Sequence, residues 1–306
     1  MTYNVRYFGH VAPMRGAASR RVAIDGITDA IAKLDVLPDV ICLQEVETRS
    51  LRSTWSHTPS HLNETQIQAF MKRFDWALEY RDRTHRYRPH YFPAHTYRLG
   101  NAQIYTTGLA VLVRDDEHVV AAVGGHGEIT HRRNGPSAKW KQSRICAHVR
   151  VATHDGWDVD IFNTHLSLPA FFSKDFYRIP GRMGWGKNQS REIDALASFV
   201  AEQRSSDRYL IVGDFNSLPG SPVYQQIQET LAVRDPFPEV LGTSVDALRT
   251  GWPTAGFLRY RMRLDHIFAG PGLRWLDFED THPFGAEGPW DGLSDHVPIV
   301  GRFAIT

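Results

Sequence analysis

The alternation of short apolar runs with amphipathic stretches constrains the fold of this chain more than any other feature. Apolar residues at helical spacing predict helices at 19–35, 63–74, 190–203 and, in shorter form, near 221–229. Short apolar runs predict strands at 40–44, 107–114, 118–123, 144–151, 157–164, 208–214, 263–269 and 297–303. The strands between 107 and 164 have no helix between them and are expected to be antiparallel, whereas the helix-separated strands allow crossovers. The sequence therefore predicts an α/β (α+β) fold with mixed sheets.

The length of the chain allows two average domains or one large α/β domain. The chain has 306 residues, of which 42% are hydrophobic and 23% charged, so it can bury a sizeable core without a disulfide or a structural metal. Its two cysteines, Cys42 and Cys146, lie in strand-like runs and are expected to be core residues. Because no repeat or linker is visible, we expect residues 1–306 to form one catalytic domain with irregular insertions near 81–103 and 168–189.

Charge and hydropathy limit the partners. The formal net charge is +1, whereas proteins that hold a long duplex by its phosphates usually carry a basic excess. The basic cluster at 81–90 is interpreted as a solvated loop or, alternatively, as a contact surface. No apolar stretch approaches the roughly 18 residues of a membrane-spanning helix. We therefore expect no transmembrane segment, and no obligate protein partner is evident.

The first residues bear on localisation. The opening stretch, MTYNVRYFGH, lacks the basic and apolar regions of a signal peptide, which favours a cytoplasmic location. Because the chain opens inside an apparent strand, we also expect the natural N-terminus to extend further upstream.

Polar side chains recur where the predicted strands begin or end. They are Asn4, Glu45, Asn163, His165, Asp214, Asn216, Asp265, Asp295 and His296. Any one of these could be a structural residue, and the segment Gly-Asp-Phe-Asn-Ser could be a simple turn, since Asp and Asn bond their own backbone there. If the strand ends meet at one rim, however, the side chains line a single cleft.

The residue types in such a cleft indicate its chemistry. Carboxylates and a carboxamide without a neighbouring cysteine suit a hard cation, Mg²⁺ (or Mn²⁺), better than zinc. Two histidines add acid–base capacity near neutral pH. A hard cation beside an acid–base pair suits the attack of water on a phosphate ester.

Seven segments of the chain resemble motifs of the endonuclease/exonuclease/phosphatase (DNase I-like) superfamily. In order, they are TYNVR, DVICLQEVE, TGLAVLVR, FNTHLS, GDFNSLPGSPVY, RLDHIF and LSDHVPI. They extend from Asn4 to His296, and LQE, GDFN and SDH together are highly specific. The resemblance implies a four-layer sandwich in which two mixed β-sheets pack face to face with helices on the outside.

The resemblance also implies a role for each matching residue. The expected metal-site residues are Asn4, Glu45 and Asp295. The expected catalytic residues are His165, Asp214, Asn216, Asp265 and His296. Asp214 and Asn216 orient the attacking water, and their i, i+2 spacing puts both side chains on one face if the strand continues to that point. Asp265 orients His296, which activates the water.

His165 is similar to the second imidazole of the superfamily, which stabilises the phosphorane-like state or protonates the leaving oxygen. Its setting, NTHL, favours the DNase I, sphingomyelinase and phosphatase branches over the abasic-site repair enzymes. Glu47 and His266 have no matching role and are interpreted as structural.

The implied function is a metal-dependent hydrolase of phosphate esters, most simply a nuclease-like phosphodiesterase. The alternatives are a sphingomyelinase-like phospholipid phosphodiesterase, a phosphomonoesterase of the same superfamily, or a non-catalytic binding module. The partner would accordingly be a nucleic acid, a phospholipid or a small phosphate ester. The aromatic-rich segment 168–189 either contacts the substrate or caps the sheet edge.

A competing motif at 181–188, GRMGWGKN, matches the phosphate-binding loop of nucleotide hydrolases in all but the last position. Asn188 stands where that loop needs Ser or Thr, and no buried strand precedes it, so we do not favour this interpretation.

Overall fold

The structure, a computed structural model, describes residues 1–8, 20–47, 65–99, 102–115, 119–131, 142–169, 182–257, 259–279 and 283–306. In these ranges the helices are α1 (Arg20–Ala32), α2 (Gln66–Glu79), α3 (Lys187–Gln203), α4 (Pro222–Leu231), α5 (Phe237–Val240) and α6 (Val245–Gly251). The strands are β1 (Thr2–Asn4), β2 (Val40–Val46), β3 (Tyr87–Leu99), β4 (Ala102–Arg114), β5 (Val119–Glu128), β6 (Ile145–Thr153), β7 (Asp158–His165), β8 (Tyr209–Asp214), β9 (Ala255–Phe257), β10 (Tyr260–Met262), β11 (Asp265–Ala269), β12 (Leu273–Phe278) and β13 (Gly301–Ile305).

Two mixed sheets dominate the fold. The first has the strand order β1-β2-β4-β3, in which β1 and β2 are parallel and the other pairs antiparallel. The second has the order β11-β8-β7-β6-β5, in which only β7 and β8 are parallel. Two antiparallel two-stranded sheets, β9 with β10 and β12 with β13, complete the described strands.

Strand alternation explains how the sheets pack. In β2, Ile41 and Leu43 join the apolar core beneath α1 and α2, whereas Cys42 joins the core between the two sheets. In β8, Ile211 faces α3 and α4, and Val212 faces the other sheet. The layers therefore run helix, sheet, sheet, helix, which confirms the predicted four-layer sandwich. Cys42 and Cys146 are both buried and free, as expected.

The segment 81–103 differs from its prediction as an irregular insertion. Residues Tyr87–Leu99 form a long strand that pairs with β4 over most of its length. Pro89 and Pro93 lie within this strand, although proline lacks the backbone N–H needed to pair on both sides of a strand. They are tolerated because β3 is the outermost strand of the first sheet.

The prediction of a strand at 297–303 is wrong in its position. The strand starts only at Gly301, and the stretch before it makes single bridges, such as Thr2 with Ile299. Pro298 interrupts this stretch, since it has no backbone N–H to donate.

The helices agree with the predicted segments within a few residues at most ends. Helix α2 starts at Gln66 because Thr65 caps it in a reciprocal capping box with Gln68. Of the segment 168–189, residues 170–181 lie outside the described residues. None of the helices in the described ranges combines the length and the apolar character that a membrane crossing requires.

Candidate active site

Strand pairing brings the candidate residues to one end of the sandwich. His165 lies beside Asp214 in the parallel pair of β7 and β8, and Asp214 lies opposite Asp265 in the antiparallel pair of β8 and β11. Asn4 ends β1 beside Gln44 of β2, next to Glu45. The ends of strands from both sheets therefore form one rim.

A buried amide network joins the two sheets just below this rim. Gln44 donates to the side-chain oxygen of Asn163 at 2.8 Å, and Asn163 donates to the carbonyl oxygens of Leu43 and Ala110 at 3.1 and 3.2 Å. The network crosses from β7 to β2 and β4. Asn163 is thus structural. By joining β7 to β2, it fixes the position of Glu45 in β2 relative to His165 at the end of β7.

Glu45 owes its orientation to an irregularity in β2. The pairing with β4 shifts between Leu43 and Val46, and Glu45 has a positive φ of 56°. Such a bulge re-aims a side chain at the edge of a sheet. Glu45 Oε1 accepts a hydrogen bond from Asn4 Nδ2 at 3.3 Å, and the same Nδ2 lies 3.0 Å from Asp214 Oδ2. Asn4 therefore joins two carboxylates.

Asp214 and Asn216 do not share a strand face. Strand β8 ends at Asp214, and Asn216 has a φ of 48°, a left-handed conformation that asparagine tolerates. Asp214 Oδ1 accepts from the backbone N–H of Asn216 at 2.9 Å, which closes a local turn. The Asn216 side chain donates to the Leu166 carbonyl at 3.0 Å. The segment Gly-Asp-Phe-Asn-Ser is therefore both a turn and part of the site.

His296 is held by a carboxylate. Its Nδ1 lies 2.7 Å from Asp265 Oδ2, and that oxygen also accepts from the Thr254 hydroxyl at 2.6 Å. Its Nε2 lies 3.8 Å from Asp214 Oδ2. Thr254 and Asp265 therefore fix the ring so that Nε2 faces the centre of the site.

His165 is held by a cation instead. Its Nδ1 lies 3.0 Å from Arg144 Nη1. Its Nε2 lies 3.4 Å from Asp214 Oδ2 and 3.9 Å from Glu45 Oε1. Both imidazoles thus direct Nε2 toward Asp214.

Asp295 closes the rim on the side of β1. Its carboxylate forms an ion pair with Arg6, and the neighbouring Ser294 hydroxyl donates to the Asn4 carbonyl at 2.8 Å. Asp295 thereby lies close enough to Glu45 for the two charges to interact.

Two carboxylates of the site, Glu45 and Asp214, resist ionisation. Burial, and then the charge of Asp295, raise the pKa of Glu45. Burial, and then the charge of Asp265, raise the pKa of Asp214 to about 7. This excess of buried negative charge is what a bound cation would compensate.

The pKa values of the two imidazoles are shifted in opposite directions. Burial, the charge of Arg144 and that of His296 lower the pKa of His165 well below its usual range. Burial also lowers the pKa of His296, but Asp265, and then Asp214 and Asp295, outweigh it and raise that pKa to about 10.

Two groups of side chains could hold a cation. The donor set of Asn4, Glu45 and Asp295 consists of oxygen-bearing side chains, which fits a hard divalent cation. Asp214, Asp265 and His296 place ligand atoms within 4.8 Å of one another. In the second group, however, His296 Nδ1 is already engaged by Asp265.

All the residues predicted from the motifs thus lie at this rim, and three residues in contact with them were missed. They are Arg6, Arg144 and Thr254. Arg144 had a visible signal, a charged residue placed directly before the apolar run ICAHV. His266, interpreted as structural, lies beneath the rim, where its Nε2 is 2.8 Å from the Ser217 carbonyl.

The sequence model of the Endonuclease/Exonuclease/phosphatase family matches residues 1–296. The chain belongs to this family. No curated protein matches the sequence significantly.

Solved structures of similar fold include members of the endonuclease/exonuclease/phosphatase family. A family protein from Leptotrichia buccalis is 16% identical, with a TM-score of 0.63, and the match covers 99% of this chain and 98% of that one. A mannosyl-6-phosphatase from Bacteroides thetaiotaomicron is 16% identical, with a TM-score of 0.59 and coverages of 99% and 98%. ANGEL2, a 2′,3′-cyclic phosphatase, is 16% identical, with a TM-score of 0.55 and coverages of 94% and 89%. At these identities the likeness shows the fold alone.

Proposed function

We propose that this protein is a divalent-metal-dependent phosphoesterase that hydrolyses phosphodiesters with a water activated by His296. One observation carries the proposal. The Asp214 carboxylate is surrounded by the Nε2 atoms of His165 and His296, at 3.4 and 3.8 Å, and by Asn4 Nδ2 at 3.0 Å. A purely structural carboxylate would not need two imidazoles that face it from different parts of the chain.

The residues divide the chemistry between them. His296 Nε2 accepts a proton from the attacking water, and Asp265 holds the ring by its other nitrogen. Asp214 orients that water, and Asn216 fixes Asp214 through its backbone N–H. His165 faces the phosphoryl group on the side of Glu45. His296 must release its own proton before it can act, so its raised pKa predicts activity that increases with pH.

The cation belongs to the corner made by Asn4, Glu45 and Asp295. When bound, Mg²⁺ or Mn²⁺ would neutralise charge on the phosphoryl oxygens. The raised pKa of Glu45 supports this placement, because burial and the charge of Asp295 both oppose the ionisation of Glu45.

A second candidate function is hydrolysis of phosphomonoesters. The observation in its favour is the mannosyl-6-phosphatase among the proteins of similar fold. The site residues suit either ester, since both reactions place the same phosphoryl charge between the cation corner and the imidazoles.

The experiment is a comparison of two chromogenic substrates, bis-p-nitrophenyl phosphate and p-nitrophenyl phosphate, with Mg²⁺, Mn²⁺ or Ca²⁺ present. Asp214→Ala and His296→Ala variants serve as controls. We expect the wild type to prefer the diester and both variants to be nearly inactive. Turnover of the monoester alone would reverse the preference, and equal rates for all three proteins would refute catalysis at this rim.

A panel of natural substrates then separates the diester classes. Plasmid DNA, an abasic duplex, RNA and sphingomyelin vesicles are incubated with the wild type and with Asp214→Ala. We expect the variant to lose whichever activity the wild type shows. An activity that the variant retains would come from a contaminating enzyme, since a contaminant does not respond to that substitution.

A further inference from the structure

Arg144 is a buried guanidinium at the rim with an unusual set of partners. Its residue is 9% exposed, its Nη1 lies 3.0 Å from His165 Nδ1, and its buried Nε has no hydrogen-bond partner. A buried cation is costly unless it contacts groups that accept its hydrogen bonds. The His165 ring is such an acceptor.

The backbone around Arg144 is pinned on both sides. Its N–H donates to the Thr130 hydroxyl oxygen at 2.6 Å, and its carbonyl accepts from Ile129 N–H at 2.9 Å and from the Thr130 hydroxyl at 3.2 Å. The side chain therefore starts from a rigid point directly before β6. A group held in this way can orient its neighbour with little freedom.

The contact also determines which nitrogen of His165 carries the proton. A guanidinium only donates hydrogen bonds, so His165 Nδ1 must be the acceptor. The ring proton is then on Nε2, which lies 3.4 Å from Asp214 Oδ2 and faces the site. In His296 the equivalent Nδ1 lies against a carboxylate, which requires a proton on that nitrogen instead.

We propose that Arg144 is a positioning residue that holds His165 in the Nε2–H tautomer, so that His165 donates a hydrogen bond to a phosphoryl oxygen and does not transfer its proton to the leaving group. The inference rests on the proposed function for its substrate, but its structural part, the tautomer, does not. Arg144 also lines a groove with Thr107, Ser143 and His165.

The first test is the tautomer in the wild-type protein. Ring nitrogen chemical shifts of ¹⁵N-histidine-labelled protein are measured, and the His165 signals are assigned from the spectrum of the His165→Gln variant. We expect an unprotonated Nδ1 and a protonated Nε2. A proton on Nδ1 would overturn the proposal, and this readout holds whether or not the protein hydrolyses any phosphate ester.

The second test is kinetic. Arg144→Met is expected to lower kcat about 10–100-fold, as losses of positioning groups commonly do, with little change in KM. Arg144→Lys, which keeps a donor and a charge, should recover part of the loss. Arg88→Met is the matched control. Arg88 lies on the outer strand β3, where it is exposed and forms an ion pair with Asp115.

Two kinetic outcomes would contradict the role. A raised KM with an unchanged kcat for Arg144→Met would show that the guanidinium binds substrate and does not position His165. An unchanged kcat and KM would show that it does neither. Melting temperatures of the variants, measured alongside, confirm that the comparison is between folded proteins.

Discussion

The two histidines of the rim present the same side chain in opposite surroundings. His296 comes from the loop after β12 and has the Asp265 carboxylate at Nδ1, whereas His165 ends β7 and has the Arg144 guanidinium there. Both direct Nε2 toward one carboxylate, Asp214. The partner of Nδ1 therefore determines what each ring can do at Nε2. A carboxylate makes it a stronger base, and a guanidinium keeps it a neutral donor.

The largest expected effect comes from removing the base. His296→Ala should lower kcat about 10²–10⁴-fold, the usual contribution of a general base. His296→Gln should be no better, because an amide cannot accept the proton. Steady-state kinetics on the diester substrate measure both. A glutamine variant close to wild-type activity would show that His296 is a hydrogen-bonding group only.

The same pair of substitutions at His165 sharpens the comparison. His165→Ala should lower kcat about 10²–10³-fold, as the loss of one donor to a developing oxyanion does. His165→Gln should recover much of that loss, since its amide N–H can still donate. Equal defects for the two variants would mean that the proton of His165 is transferred after all.

Asp265→Asn tests how the carboxylate acts on His296. We expect kcat to fall about 10–100-fold and the acidic limb of the kcat/KM profile to move to lower pH. The direction follows because Asp265 contributes most among the three carboxylates that together raise the pKa of His296 to about 10, and the substitution removes that contribution. The pH–rate profiles of the wild type and the variant test this expectation. An acidic limb that moves to higher pH would contradict the role of Asp265 in raising the pKa of His296.

Asp265→Asn is also expected to change the stability of the fold in a pH-dependent way. A histidine whose folded pKa lies above its unfolded value stabilises the fold below about pH 6.5 and loses that contribution as pH rises through about 10. The variant should therefore lose more stability at pH 6 than at pH 10, as measured by denaturant titration.

The smallest expected effect concerns the cation. In the metal-free protein, burial and then the charge of Asp295 raise the pKa of Glu45, so ionisation of this carboxylate destabilises the fold as pH rises. Cation binding requires the ionised carboxylates, so the increase in melting temperature caused by Mg²⁺ should grow from pH 5 to pH 8. Thermal unfolding at both pH values checks this, with Glu45→Gln as the variant expected to lose the increase.

Much of the rim could be predicted from the sequence because motif residues lie at strand ends. Strand ends meet wherever two strands pair in parallel, as β7 and β8 do. The conformation of Asn216 could not be predicted, because the alternation of strand side chains stops at Asp214. Arg144 was missed because its role depends on a contact with His165, which no spacing along the chain reveals.

The fold shows the same limit. Apolar periodicity predicts β2 and β8, which are buried on both faces, but it does not predict β3, whose prolines and charges are compatible only with an outer strand. The expectation that residues 1–306 form one catalytic domain stays a prediction.

The most direct test of this account is a pH titration of both imidazoles in the metal-free protein by ¹⁵N NMR. We expect that between about pH 6.5 and 8.5, around the ordinary histidine pKa, His296 remains an imidazolium and His165 remains neutral with a bare Nδ1. If the two rings titrate together near the ordinary histidine pKa, the opposite partners do not set their states, and the division of roles proposed for this site is wrong.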